Sequence, residues 1–194
     1  MSDSGNLTGQ QPTARAGTVT AGTADAPDPA CDVAHGRSPA PAVARTLVAV
    51  FDSPVARFLL RYGRDTGFRP VLVEPGTDLP EAADDGMTVV RGFDGQVDDG
   101  TDVVVTDHHR PELGVVLRDA LASPARWVGV MGNPRHPAPH IPALAALGVP
   151  PDQIARVHRP IGLNIGSHTP AEIALATVAG LIADHNQRSG GFEF

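Results

Sequence analysis

The chain has 194 residues, 41% hydrophobic and 19% charged, enough for one full hydrophobic core and too few for two comfortable domains. Its formal net charge of −7 excludes a nonspecific nucleic-acid binder, which needs surplus Lys and Arg to displace counterions from phosphates. The single cysteine, Cys31, excludes an internal disulfide, and neither a leader pattern nor an apolar run of about 18 residues is present, so a cytoplasmic protein without a membrane span is expected.

The 21 glycines and 19 prolines exceed a fifth of the chain, and many of them fall before position 46. Residues 1–45 are Ser, Thr, Gly, Ala and Pro with scattered charges, too little apolar surface to offset the entropy of ordering, and are expected to be a disordered tail. Cys31 and His35 lie in it and are read as incidental. The folded domain is expected over 46–188, with 189–194 a short C-terminal tail.

Thr46-Leu47-Val48-Ala49-Val50-Phe51 is a continuous apolar, β-branched run and reads as a buried strand. Ser53-Pro54 supplies an N-cap and a first-turn proline for a helix to Asp65, with Val55, Phe58, Leu59 and Tyr62 on one face and Gly67 closing it. Strands follow at 70–74, 87–91 and 102–106, then a helix at 111–122 with Leu113, Val116, Leu117 and Leu121 inward, and a fifth strand at 126–131. Short helices are read near 141–147 and 150–155, and 158–168 as a glycine-containing loop. Thr169-Pro170-Ala171-Glu172 is a capping box opening a last helix, with Ile173, Leu175, Ala176, Val178, Ala179, Leu181 and Ile182 as its apolar stripe. The order implies an α/β fold, a mostly parallel sheet with helices on both faces.

Arg159-Pro160-Ile161-Gly162-Leu163-Asn164-Ile165-Gly166-Ser167-His168-Thr169-Pro170-Ala171-Glu172-Ile173-Ala174 resembles the closing motif of the XdhC/CoxI family, P-x-G-L-x-I-G-x-x-T-P-x-E-I-A. Trp127-Val128-Gly129-Val130-Met131-Gly132-Asn133 resembles the family's Y-I-G-x-x-G-S segment, and Val105-Thr106-Asp107-His108 its T-H-D-like strand end. The similarity runs from about Leu47 to Asp184. It implies a Rossmann-like domain of proteins that bind molybdenum cofactor and help load it into xanthine dehydrogenase, CO dehydrogenase and related molybdenum hydroxylases. Family members often carry a further amino-terminal domain, for which residues 1–45 are too short and too polar, so its function is expected to come from a separate chain or to be absent.

Where the family has G-A-G-H after its first strand, this chain has Asp52-Ser53-Pro54-Val55. Pro54 has no N–H and Asp52 sets negative charge beside a phosphate, so NAD(P) binding is disfavoured. Ligands of open parallel sheets gather outside the carboxyl ends of the strands, where the sequence sets Asp52, Ser53, Glu74, Thr106, Asp107, His108, His109, Gly132, Asn133 and Arg135. Glu74 stands where an acidic residue holds ribose hydroxyls, and Arg135 suits a phosphate or pterin. Gly162, Gly166, Ser167, His168 and Thr169 are expected to form one wall of the cleft, the helix start facing an anionic group. His108 and His109 lack a third metal ligand. His136 and His140 are discounted as a pair, because Pro137, Pro139 and Pro142 break the helix that would align them.

No nucleophile, Ser-His-Asp set or paired-carboxylate site can be nominated, which favours binding over catalysis. The leading reading is a non-enzymatic accessory protein that binds molybdenum cofactor or delivers it to a molybdenum hydroxylase, a homodimer being compatible with it. The alternatives are an NAD(P)-dependent oxidoreductase and a degenerate Rossmann-like interaction subunit that has lost its ligand.

Overall fold

The computed structural model describes residues 29–39, 45–76, 86–133 and 135–191. The chain divides into two units, 1–41 and 42–194. In the first, α1 (Pro29–Ala34) is a six-residue helix with no buried residue, followed by a turn in which the Arg37 guanidinium donates to Asp32 at 2.8 Å. The expected disordered tail therefore contains a helix at 29–34, while 1–28 and 40–44 lie outside the described residues.

The second unit contains, in order, β1 (Arg45–Val50), α2 (Pro54–Asp65), β2 (Phe68–Val73), β3 (Thr88–Val90), β4 (Thr101–Val105), α3 (Leu113–Ala122), β5 (Trp127–Val130), α4 (His140–Ala146), α5 (Pro151–Ile154), β6 (Val157–His158) and α6 (Pro170–His185). The six strands pair in parallel in the order β3-β2-β1-β4-β5-β6. This is the doubly wound arrangement, with its topological switch point between β1 and β4.

Residue alternation along β1 divides the core. Leu47 and Ala49 face α2 and α6, packing with Leu59, Leu60, Ala174, Val178 and Leu181, whereas Val48 and Val50 face α3 and α4 with Leu117 and Leu144. The α2 helix sits so close to β1 that a Cβ at Gly63 would meet Leu47 Cδ2 at 2.6 Å. Its buried residues are Ala56, Leu59, Leu60 and Gly63, with the expected Val55, Phe58 and Tyr62 packed at the margin.

Two features differ from the sequence reading. Leu175 of α6 is 54% exposed and Ala174 and Thr177 turn inward instead, because the wide apolar face left the facing direction open. A sixth strand, too short for any periodicity to register, precedes the expected loop, takes its first residue, His158, and pairs Val157 with Val128. As the sequence reading has it, the 91–100 connection from β3 to β4 carries no helix; Phe93 and Val97 pack against the core there.

At the amino end of the sheet, Asp102 is 0% exposed and accepts from Arg126 at 2.7 Å and pairs with His185 Nε2 at 2.8 Å, while Arg126 also reaches Asp184 at 2.5 Å. These contacts fasten the end of α6 to the start of β4. Among the described residues no helix is long and apolar enough to cross a membrane.

Candidate functional site

The carboxyl end of β1 turns sharply into α2. Phe51 takes φ +73°, a left-handed conformation that bulky side chains rarely adopt, and its ring is fully buried. Its N–H still donates to Val73 O at 2.9 Å, so sheet pairing continues through the turn. Ser53 then caps α2, its hydroxyl accepting from Ala56 N–H at 3.1 Å. Across the switch point Ser53 Oγ and Thr106 Oγ1 are 3.2 Å apart, and Thr106 Oγ1 also lies 3.0 Å from the carbonyls of Val50 and Phe51. The two hydroxyls thus tie β4 to the first turn.

The two acidic groups nearby are each held by an arginine. Asp52 accepts a two-point contact from Arg57 at 2.6 and 2.8 Å. Glu74, 6% exposed, accepts the N–H groups of Asp52 at 2.9 Å and Gly76 at 3.1 Å, and Arg110 at 3.0 Å. The Arg110 guanidinium lies 4.6 Å from the centre of the Phe51 ring and also contacts Glu112. Glu74 therefore braces the turn that would have to receive a phosphate, and Arg110 covers its remaining face. Neither Arg57 nor Arg110 carries a local sequence signal for this role; the pairing spans 36 positions in the case of Glu74 and Arg110.

On the β4–β5 side the arrangement is looser. Asp107 accepts the N–H of His109 at 2.8 Å in a tight turn, and the rings of His108 and His109 are 4.0 Å apart. Burial, with the neighbouring His109 second, holds the half-buried His108 below the ordinary imidazole range, so it is neutral at pH 7. Among the described residues no group of three or more His, Cys, Asp or Glu side chains could hold a metal. After β5, Asn133 accepts the N–H of Arg135 at 2.9 Å, and the Arg135 side chain is exposed.

Arg159 organises this loop. Its guanidinium donates to the carbonyl oxygens of Asn133 at 2.9 Å, Pro137 at 3.2 Å and His136 at 3.4 Å. A Cβ at Gly132 would run into Arg159 Nε at 2.7 Å, so the glycine makes room for the side chain. The sequence reading passed over Arg159, although it opens the closing motif.

The closing loop runs elsewhere than expected. Gly162, at φ +82°, lies against the backbone of Ala176 and Thr177 in the middle of α6, where a Cβ would come within 3.1 Å of Thr177 N, and Leu163 N–H donates to Ala176 O at 3.0 Å. Leu163 then reaches Gly190 beyond the end of the helix. Gly162 and Leu163 thus pack along α6. Gly166 has open space around it and serves the turn through φ +69°. At the helix start the capping box forms as expected: Thr169 accepts from Glu172 N–H at 3.2 Å, and Glu172 Oε2 accepts the N–H groups of His168 at 2.8 Å and Thr169 at 3.1 Å. Those hydrogen bonds hold the Glu172 carboxyl below its ordinary range. This carboxylate takes the place a ligand anion would have at the helix end, with Ser167 half-buried beside it.

Residues 47–181 match the family model of the XdhC Rossmann domain. Uncharacterized protein YqeB of Escherichia coli (strain K12) is 30% identical over 122 residues, which is 63% of this chain and 22% of YqeB. A crystal structure of a xanthine dehydrogenase from Bacillus halodurans shares the fold, with a TM-score of 0.59 and 19% identity over 77% of this chain and 45% of that one. The chain thus spans less than half the length of either relative. From the matched 47–181 segment, which contains β2 to β6, all but the first two residues of β1 and most of α6, it follows that the chain belongs to the XdhC Rossmann domain family.

Proposed function

We propose that this protein is a non-enzymatic accessory factor that binds molybdenum cofactor, or docks on its carrier, and helps pass it to a molybdenum hydroxylase of the xanthine dehydrogenase or CO dehydrogenase type. Membership of the XdhC Rossmann domain family over 47–181 carries the reading. The donor set fits an anionic pterin better on the β4–β5 side than at the first turn. Arg135 is exposed and pairs with no described carboxylate, Asn133 offers its side-chain amide, and His108 is a neutral imidazole that can donate or accept. Asp52 and Glu74 are already taken up by Arg57 and Arg110, and Gly162 by α6. The cofactor's oxygen-transfer chemistry belongs to the hydroxylase; the residues here hold and orient it. A separate chain supplying the family's other domain, a homodimer and a cytoplasmic setting complete the proposal.

The strand order by itself also suits a dinucleotide, but the first turn argues against one. The Asp52 N–H is bound to Glu74, Pro54 has none, and Phe51 stands where the backbone would have to open toward a pyrophosphate.

The test is coexpression of the full chain with a molybdenum hydroxylase, measuring the hydroxylase's molybdenum content and the pterin copurifying with the chain, alongside calorimetric titration with NAD and NADP. Raised molybdenum content and no micromolar nucleotide affinity are expected. Micromolar binding of either nucleotide, with no effect on the hydroxylase, overturns the reading in favour of the oxidoreductase.

A further inference from the structure

Behind the β5–β6 side of the sheet a groove of about 550 Å³ runs between α4, α5 and β6. Its walls are mostly aliphatic, with Ile141, Ala145, Ile154 and Val157 among them, and its only polar side chains are those of His140 and Arg159. His140 is 5% exposed, yet no described residue hydrogen-bonds to either ring nitrogen, and Nδ1 is completely enclosed. The enclosed Nδ1 is closed to any ligand, so Nε2, which is not enclosed and has no described partner, is the ring nitrogen left to meet one.

Arg159 is the second anomaly. It forms no ion pair with any described carboxylate, and the backbone carbonyls that fix it carry no net charge. Its Nε is also buried without a partner. A protein of net charge −7 thus keeps a full positive charge next to an unpartnered histidine, on an apolar groove containing no acid.

We propose that the groove between α4, α5 and β6 binds a small organic anion, its carboxylate or phosphate monoester head against His140 and Arg159 and its apolar body along Ile141, Ile154 and Val157. Burial and the neighbouring Arg159 hold His140 below the ordinary imidazole range, so it is a neutral donor at pH 7 and Arg159 supplies the charge. The proposal stands apart from the cofactor-handling reading, which is tested on the hydroxylase and survives if the groove proves empty.

The experiment is histidine-selective ¹⁵N NMR of the full chain, titrated with benzoate, phenyl phosphate, the neutral isostere benzamide and inorganic phosphate. Benzoate, phenyl phosphate or both should shift the His140 ring signals, which head group binds distinguishing a carboxylate from a phosphate ligand. Benzamide and inorganic phosphate should bind at least about tenfold more weakly, lacking the charge or the apolar body. Ile141 is half exposed, so Ile141→Asp keeps the fold and should weaken the anions about tenfold by setting a negative charge at the groove's edge. The assignment is overturned if no anion shifts the His140 ring, if inorganic phosphate binds as tightly as phenyl phosphate, or if Ile141→Asp leaves affinity unchanged.

Discussion

The carboxyl edge of the sheet has two halves that treat charge differently. Around β1 and β2 the two described acidic groups each meet an arginine, Asp52 with Arg57 and Glu74 with Arg110, while the Asp52 N–H closes on Glu74 and Ser53 on Thr106. Around β5 and β6, Arg159 meets only carbonyl oxygens, Arg135 is exposed, and His108 and His140 are neutral imidazoles held by burial. At the first turn the protein's own side chains take up the donors on which a nucleotide cradle depends, whereas on the β5–β6 side Arg135 and Arg159 pair with no described carboxylate.

The largest effect should come from breaking the closed half. Glu74→Ala strips the acceptor from two backbone N–H groups and leaves Arg110 over Phe51 without its buried partner, which should cost about 3 kcal/mol in urea unfolding. A loss under about 1 kcal/mol would mean that water replaces the carboxylate and that the first turn is open after all.

The open half should show itself in the pH dependence of stability. His108, His140 and His158 are each depressed chiefly by burial. The unfolded chain takes up protons near pH 6.5 where the folded one does not, so their stabilisation is fully present above about 6.5 and is lost as pH falls through the folded values. Thermal unfolding followed from pH 7.5 to 5 should shift steadily downward, and His140→Leu should flatten the curve. An unchanged curve in that variant would place the proton uptake in other groups.

Two smaller substitutions separate packing from binding. Thr169→Ala removes the α6 cap and should cost about 1 kcal/mol without affecting the hydroxylase. Arg135→Ala should stay within about 0.5 kcal/mol of the parent protein yet lower the molybdenum content of a coexpressed hydroxylase. If Arg135→Ala is the destabilising one and maturation is untouched, Arg135 belongs to the scaffold.

What the sequence conveyed depends on how local the cause is. The runs at 46–51 and 102–106 mark buried strands because each residue's own side chain says so, and Ser53-Pro54 and Thr169-Pro170-Ala171-Glu172 mark helix starts because the partners lie within one turn. Asp102 was read as the start of a strand and gave no sign of its burial, since Arg126 and His185 lie 24 and 83 positions away. For the same reason Gly162 looked like part of a ligand loop when its real neighbour is the backbone of α6. His140 was dismissed as half of a metal pair, correctly as to the broken helix, but periodicity could not reveal that it would be enclosed without a partner.

The strand lengths carry a consequence for assembly. The sheet ends in its two shortest strands, three residues in β3 and two in β6. Each therefore presents only a few unpaired N–H and C=O groups, too short a template for another chain to extend by adding strands. On the proposed function, a second copy or a hydroxylase would approach through helix surfaces and loops rather than by extending the hydrogen-bonded ladder.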